Sequence, residues 1–186
     1  MKKIFIINSL MLVNSFSFGQ VIIGDAVGTA TDKTSVLLEF SKEKKGLVLP
    51  YVRTIPTTAT GLVEGTILLD ASSSGGSRIK FYNANTTAGT AGWKDLNGEN
   101  GDVATQLANQ PTTAEENTSK AIIGAATSSA NGVLVLESNT KAMVLPTVAD
   151  VNEIPSPAPG MMVFVNKNNA KRLAIFNGKV WSFWKP

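Results

Sequence analysis

Residues 172–184 read RLAIFNGKVWSFW, which is two runs of apolar and aromatic residues joined by Asn177-Gly178. An Asn-Gly pair between two such runs is the strongest short-range signal for a β-hairpin. The stretch therefore predicts two antiparallel strands, at residues 172–176 and 180–184, with a tight turn between them.

This hairpin pattern has a counterpart in the first half of the chain. Seven blocks recur in the same order: residues 22–24 with 122–124, 36–39 with 133–137, 47–50 with 143–146, 55–56 with 154–155, 65–69 with 160–164, 78–83 with 172–177, and Trp93 with Trp181. The offset drifts from 100 residues (22 to 122) to 88 (93 to 181), as expected when two copies differ in loop length. The sequence therefore predicts a duplicated module.

The apolar runs of the modules are short and rich in Val, Ile, Leu and Phe, with Gly, Pro, Asn and Ser between them. No stretch beyond the N-terminal segment keeps helical spacing over three turns, so the pattern favours an all-β fold. We expect two tandem copies of a small antiparallel β module, at residues 20–96 and 121–186. A polar linker at 97–120 joins them, with at most one short helix within 102–109.

The first nineteen residues have the organisation of a secretory signal peptide. Lys2 and Lys3 precede a largely apolar run, and Ser17-Phe18-Gly19 places small residues before Gln20. The run is shorter than the roughly 20 residues that a membrane span needs. We therefore predict a signal peptide at 1–19, an exported product on the cell surface or outside the cell (with the periplasm left open), and no membrane span after its removal.

Composition excludes most common chemistry. The 186 residues contain no His and no Cys, so there is no imidazole base, thiolate nucleophile, disulfide or ordinary zinc site. Ser-x-x-Lys occurs three times, but its flanks predict strands and turns rather than the helix start that catalysis requires. Glu39 and Glu137 are equivalent repeat positions, which favours a structural role for each. We predict no catalytic, cofactor-binding or metal-binding residues and a non-enzymatic protein.

Net charge argues against nucleic acid as a partner. The chain carries 17 basic and 14 acidic residues, and removing Lys2 and Lys3 with the signal peptide leaves 15 against 14. A nearly neutral product without a basic stripe lacks the electrostatic footprint that nucleic acids and anionic membranes attract.

The aromatic side chains are the candidate contact surface. Trp93 and Trp181 occupy equivalent positions and are expected to anchor their modules' cores. Strand alternation places Trp184 on the opposite face from Trp181. There it would contact another subunit, the other module or a sugar ring, or be an exposed chain-end residue without a contact. The candidate binding residues are Trp184, Tyr82 and Phe176.

Several of the repeated blocks resemble a β-rich module that recurs in secreted and surface proteins of Bacteroidota, and segments of adhesin-like and tail-fibre-like chains. The resemblance is carried by these segments: Val21-Ile22-Ile23-Gly24, Lys45-Gly46-Leu47-Val48-Leu49-Pro50, residues 65–70, Phe81-Tyr82-Asn83 and Phe176-Asn177-Gly178-Lys179-Val180-Trp181. It implies an extracellular structural or adhesive role and supplies no catalytic residues.

Module size points to assembly. Each copy has only about 65–75 residues, near the lower limit for an independent core, so the copies should pack together or the chain should self-associate. Our leading hypothesis is an exported structural or adhesive component of a surface or fibre that acts through protein–protein contacts. The alternative is an extracellular carbohydrate-binding module that uses exposed aromatic residues.

Overall fold

The computed structural model describes residues 20–41, 44–57, 61–85, 90–111 and 119–184. The predicted signal peptide lies outside these ranges. Fourteen strands and one short α-helix lie within them: β1 Val21–Ile23, β2 Val36–Phe40, β3 Leu47–Val48, β4 Tyr51–Val52, β5 Ile67–Asp70, β6 Arg78–Tyr82, β7 Trp93–Asp95, α1 Ala104–Asn109, β8 Ala121–Ile123, β9 Leu134–Leu136, β10 Ala142–Val144, β11 Thr147–Val148, β12 Met161–Val165, β13 Arg172–Phe176 and β14 Trp181–Trp184. The all-β prediction, with one short helix, is confirmed.

The same four-strand arrangement occurs once in each half of the chain. The sheet order β4-β5-β6-β7 is matched by β11-β12-β13-β14. In each case the first pair is parallel and the next two pairs are antiparallel. We call residues 20–96 the first unit and 121–186 the second unit.

Antiparallel pairing accounts for only part of the fold. The pairs β1–β2, β8–β9, β4–β5, β11–β12 and β2–β10 are parallel. A two-residue hairpin can join only antiparallel neighbours, whereas a longer connection lets the chain return in the same direction. The segments between β1 and β2 and between β4 and β5 are long enough for this, so the expectation of purely antiparallel modules is corrected.

The two units exchange strands. From the first unit, β3 pairs antiparallel with β12, with Val48 opposite Met161 and Leu47 opposite Met162. From the second unit, β10 pairs parallel with β2, with Met143 opposite Leu38. Since each exchanged strand completes a sheet of the other unit, the units pack together rather than extend.

One hydrophobic core is shared by the two units. Its buried residues come from both halves of the chain and from the segment between them: Leu49, Leu69, Ala71, Ile79, Val103, Met162 and Ile175. On β12 the side chains alternate between this cluster and a second one, which contains Met161 and Val163. Both faces of β12 are therefore buried, which explains its continuous apolar sequence.

The first half of the predicted linker belongs to the fold. Val103 is fully buried in the shared core, and α1 follows directly after it. Arg53 of the first unit donates hydrogen bonds to the Gln110 side chain at 2.9 Å and to the Leu107 carbonyl at 2.6 Å. This part of the polar linker is therefore anchored to the fold through Val103 and Leu107, which pack in the shared core.

Candidate functional site

Equivalent aromatic pairs stabilise the last two strands of each unit. Tyr82 lies opposite Trp93 across β6 and β7, and Phe176 lies opposite Trp181 across β13 and β14. The ring centroids are 5.4 Å and 5.3 Å apart, with tilted planes at 52° and 44°. Tilted aromatic pairs contribute more stability than the area they bury would give alone. The equivalent pairs therefore stabilise the sheet of each unit.

The predicted binding residues fall into different environments. Tyr82 is only 6% exposed, which places its ring in the core and removes it from the exposed contact surface. Phe176 is partly buried against the second cluster together with Trp181. Trp184 is 47% exposed.

Trp184 also connects the two units. Its indole Nε1 donates a hydrogen bond to the Leu96 carbonyl at 2.5 Å, at the end of the first unit. The ring thus has its polar atom satisfied within the chain while much of its apolar surface stays in solvent. Phe183 beside it is 46% exposed, so the end of β14 presents two large aromatic rings.

A cleft of about 420 Å³ lies on the other side of β14. Its walls combine aromatic rings with charged and amide groups: Asp150, Val151, Asn152, Val165, Lys167, Ala170, Arg172, Trp181 and Phe183. The Arg172 guanidinium lies 5.3 Å from the centre of the Phe183 ring. The Lys167 ammonium lies 3.3 Å from the Asp150 carboxylate. Hydrogen bonds from the Asn152 amide and from Lys167 hold the pKa of Asp150 below its ordinary range.

Glu39 is the most completely enclosed charged residue among the described ones. Its side chain has no exposed surface. One carboxylate oxygen accepts hydrogen bonds from the Thr29 amide, the Thr29 hydroxyl at 2.9 Å and the Ala30 amide at 2.8 Å. The other accepts from the Lys33 ammonium at 3.0 Å and from Gln20 at 3.2 Å.

These donors determine the charge state of Glu39. Burial raises its pKa, but the donated hydrogen bonds outweigh burial, and the pKa falls from 4.5 to about 2. A carboxylate that accepts several hydrogen bonds is stabilised in its ionised form. Glu39 therefore closes the 28–33 loop as a structural anion rather than acting as an acid catalyst.

The turn after β7 is joined to the β13–β14 hairpin. The Glu99 carbonyl accepts hydrogen bonds from the Asn97 side chain at 2.5 Å and from the buried Asn177 side chain at 3.0 Å. A Cβ atom at Gly101 would collide with the Asn177 carbonyl, so only glycine fits there. The turn at 97–102 thus lies between the two units and bonds to both, to Arg78 of the first and to Asn177 of the second.

Among the strand edges that have no partner strand within the part of the chain that the structure describes, four matter for the comparison of the two units. β9 pairs only with β8, β10 only with β2, and β3 only with β12. The fourth edge is the start of β5: β4 covers Leu69 and Asp70 but leaves Ile67 open. Unpaired backbone groups at such edges are templates for another strand.

Exposed apolar side chains accompany these edges. They include two on the open strands themselves, Val48 at 43% and Leu134 at 39% exposed, and Val133 directly before β9. Val21 and Ile23 on β1 are exposed as well. Exposed apolar groups combined with open edges are typical of a surface that another chain covers.

The Ser77–Lys80 pattern lies at a strand rather than at the start of a helix. Ser77 precedes β6 and Lys80 lies within it, where residues three apart point to opposite faces. Lys80 instead binds the Asp95 carboxylate at 2.7 Å. Glu137 accepts a hydrogen bond from Ser128 within its own loop. Among the described residues, no cluster of three acidic side chains could hold a metal ion.

Sequence reasoning missed the open edges and the environment of Glu39. The equivalence of Glu39 and Glu137 did indicate a structural role. The donors around Glu39 come from Gln20 and from the 29–33 loop, and neither carried a motif. The edges depend on which short strand pairs with which, and a two-residue strand carries no signal of its partner.

A family model matches a segment in the second half of the chain. Residues 122–185 match the family described as "Phage tail like trimerisation region". The match begins in β8 and runs to the end of β14, so it covers the second unit. The chain matches no curated protein and no solved structure.

The match bears on function at a coarse level. It indicates a β-rich, tail-fibre-like module with a structural role and a capacity for self-association. It does not address the Bacteroidota or adhesin parts of the resemblance. No helix in the described part of the chain combines the length and the apolar character that crossing a bilayer requires.

Proposed function

We propose that this chain is an exported, non-enzymatic subunit of a fibre-like or surface assembly, and that three copies associate through their strand edges. The observation that carries the proposal is the match of the second unit to a phage tail-like trimerisation region. The open edges of β3, β5, β9 and β10 supply a physical means of association.

The first unit supports the same function. It carries the pairings and the aromatic pair of the second unit. A duplicated module whose equivalent residues pack the core leaves the strand edges and exposed rings for contacts with other chains. An adhesive role would further need the assembly to be displayed outside the cell, which the predicted signal peptide permits but does not require.

Self-association is tested by measuring the mass of the purified full chain in solution. Light scattering or native mass spectrometry should give three times the chain mass of 19.6 kDa, less any cleaved signal peptide. A monomer at all concentrations would contradict the proposal.

Export is tested separately. The full chain is expressed in a bacterium with a general secretion pathway, the cells are fractionated, and the product is sequenced from its N-terminus. We expect material outside the cytoplasm that begins at Gln20. An intact N-terminus in a cytoplasmic product would contradict export and leave the assembly role standing.

A second candidate function is carbohydrate binding, and the cleft beside β14 favours it. The aromatic ring of Phe183 lies among Asp150, Asn152 and Lys167, and sugar recognition combines a ring face with polar groups that can form hydrogen bonds. The proposed sugar site is therefore the cleft at Phe183, whereas the alternative predicted from the sequence relied on Trp184 and Tyr82.

A glycan array separates the two functions. If the cleft binds sugars, Phe183→Ala should abolish the signal, while Trp184→Ala, outside the cleft, should keep it. Binding lost in both variants, or no binding by the unmodified chain, would argue against the cleft as a sugar site.

A further inference from the structure

The two exchanged strands, β3 and β10, do not pair at equivalent positions of the two units. If the two units formed a closed pair, β3 would pair with both β9 and β12, and β10 with both β2 and β5. Within the described residues only β3–β12 and β10–β2 form. Each unit therefore gives one strand to the other, and each exchanged strand keeps one free edge.

The two observed pairings follow one rule. The exchanged strand of the first unit lies on β12, at the sheet edge of the following unit. The exchanged strand of the second unit lies on β2, in the preceding unit. Suppose that the same two pairings are repeated between the second unit of one copy and the first unit of another copy. Then β10 pairs with the β5 of the other copy, and β9 pairs with its β3.

From this rule we infer that a second copy of this chain docks head to tail, its β5 pairing antiparallel with β10 and its β3 pairing parallel with β9. The inference rests on the proposed self-association and names the surfaces that form it. It commits to a second copy because the missing strands are those of this chain's own first unit.

The contact residues follow from repeat equivalence. Met143 and Val144 correspond to Leu47 and Val48, which lie opposite Met162 and Met161. The residues of β5 that correspond to Met162 and Met161 are Ile67 and its neighbour Thr66. The expected partners across the interface are therefore Thr66 with Val144, and Ile67 with Met143.

The open edges have the chemistry that such docking needs. β4 leaves Ile67 uncovered, and Met143 and Val144 are only partly buried within the chain. A contact between identical subunits through two different surfaces is heterologous and closes only if the rotation per subunit returns to the start. Three chains in such a ring would contribute six units.

Engineered disulfides test the inference, since the chain contains no Cys. The full chain carrying Thr66→Cys and Val144→Cys is oxidised mildly and analysed by non-reducing electrophoresis. Residues opposite each other in an antiparallel pair lie within disulfide reach. We expect covalent dimers and trimers from the double variant, and at least a tenfold lower yield from either single variant.

A matched control uses the equivalent pair within the chain. Val48→Cys with Met161→Cys should form an intramolecular disulfide and leave the mass of the covalent species unchanged. This control shows that the oxidation conditions report strand pairing.

The outcomes separate the two proposals. A trimer by light scattering that yields no cross-link between position 66 of one copy and position 144 of another would overturn the edge assignment and leave self-association intact. A monomer that forms no cross-link would overturn both. Cross-linking by the single variants as strongly as by the double variant would also overturn the edge assignment.

Discussion

The two units have the same internal sheet but different surroundings. In the second unit, β12 is covered along its edge by β3 and β11, whereas the equivalent β5 is covered only by β4. In the first unit, β2 has partners on both edges, whereas the equivalent β9 has one. The two units keep the same strands and the same buried faces. Because the exchanged strands pair differently in the two units, the open strand edges of one unit are complementary to those of the other rather than identical to them.

A second difference lies at the start of each unit. Ile22 is opposite Glu39 in the first unit, while Ile122 is opposite Val135, two residues before Glu137, in the second. A shift of two residues preserves which face each side chain occupies, whereas a shift of one would reverse it. The apolar pattern therefore tolerates the change, but the two glutamates meet different neighbours.

The largest expected effect compares the equivalent tryptophans. Trp93 is 6% exposed and Trp181 is only partly buried, so Trp93→Ala should cost about 3–5 kcal/mol of unfolding free energy. Trp181→Ala should cost about half as much, because part of its ring is already in solvent. Urea unfolding of both variants checks this. Equal losses would mean that burial does not distinguish the units.

The next comparison is between the equivalent glutamates. Glu39→Gln removes an anion that accepts hydrogen bonds from a lysine and several amides, and should cost about 1.5–3 kcal/mol at pH 7. Glu137→Gln, whose carboxylate accepts from Ser128, should cost less than about 1 kcal/mol. A larger loss at Glu137 than at Glu39 would contradict the assigned environments.

The pH dependence sharpens the same contrast. The pKa of Glu39 is lowered from 4.5 to about 2 in the folded chain. Its stabilising contribution is therefore complete above about pH 4.5 and is lost as the pH falls toward 2. In thermal melts from pH 6 to pH 2, the difference in Tm between the unmodified chain and Glu39→Gln should shrink across that window. A difference that stays constant to pH 2 would refute this role.

A smaller effect is expected where the turn at 97–102 meets the second unit. Gly101→Ala places a methyl group against the Asn177 backbone and should cost about 1–3 kcal/mol. Gly98→Ala is the control, since a Cβ there meets nothing within 4 Å. If urea unfolding finds the two variants equally stable, the segment does not bind the second unit as described.

The smallest effect concerns the bond between the units at Trp184. Trp184→Phe removes the indole donor to the Leu96 carbonyl and keeps an aromatic ring, so the loss should be about 0.5–1.5 kcal/mol. Phe183→Leu, which breaks no such bond, serves as the control in the same unfolding assay. If Trp184→Phe lowers the free energy of unfolding no more than Phe183→Leu does, the hydrogen bond to Leu96 does not contribute to stability.

Patterns among neighbouring residues predicted the strands and the tight turn that such neighbours determine. Alternation and Asn177-Gly178 identified the β13–β14 hairpin, and the repeated blocks identified its counterpart. The pairing of β3, β4, β10 and β11 could not be predicted, because each has only two or three residues and its partner lies far away in sequence. Tyr82 was misplaced on the surface because it shares its face of β6 with Arg78 and Lys80, whereas in the fold Leu68 and Trp93 bury its ring.

The most direct test of the central claim, that copies of the chain pair through edges left open by the exchange, is hydrogen exchange followed over a dilution series. Amides of β9 should be protected at concentrations where the chain associates and lose protection on dilution, while those of β2, covered on both edges within one chain, should stay protected throughout. Exchange in β9 that is equally fast at every concentration, in a chain that still associates, would contradict the claim.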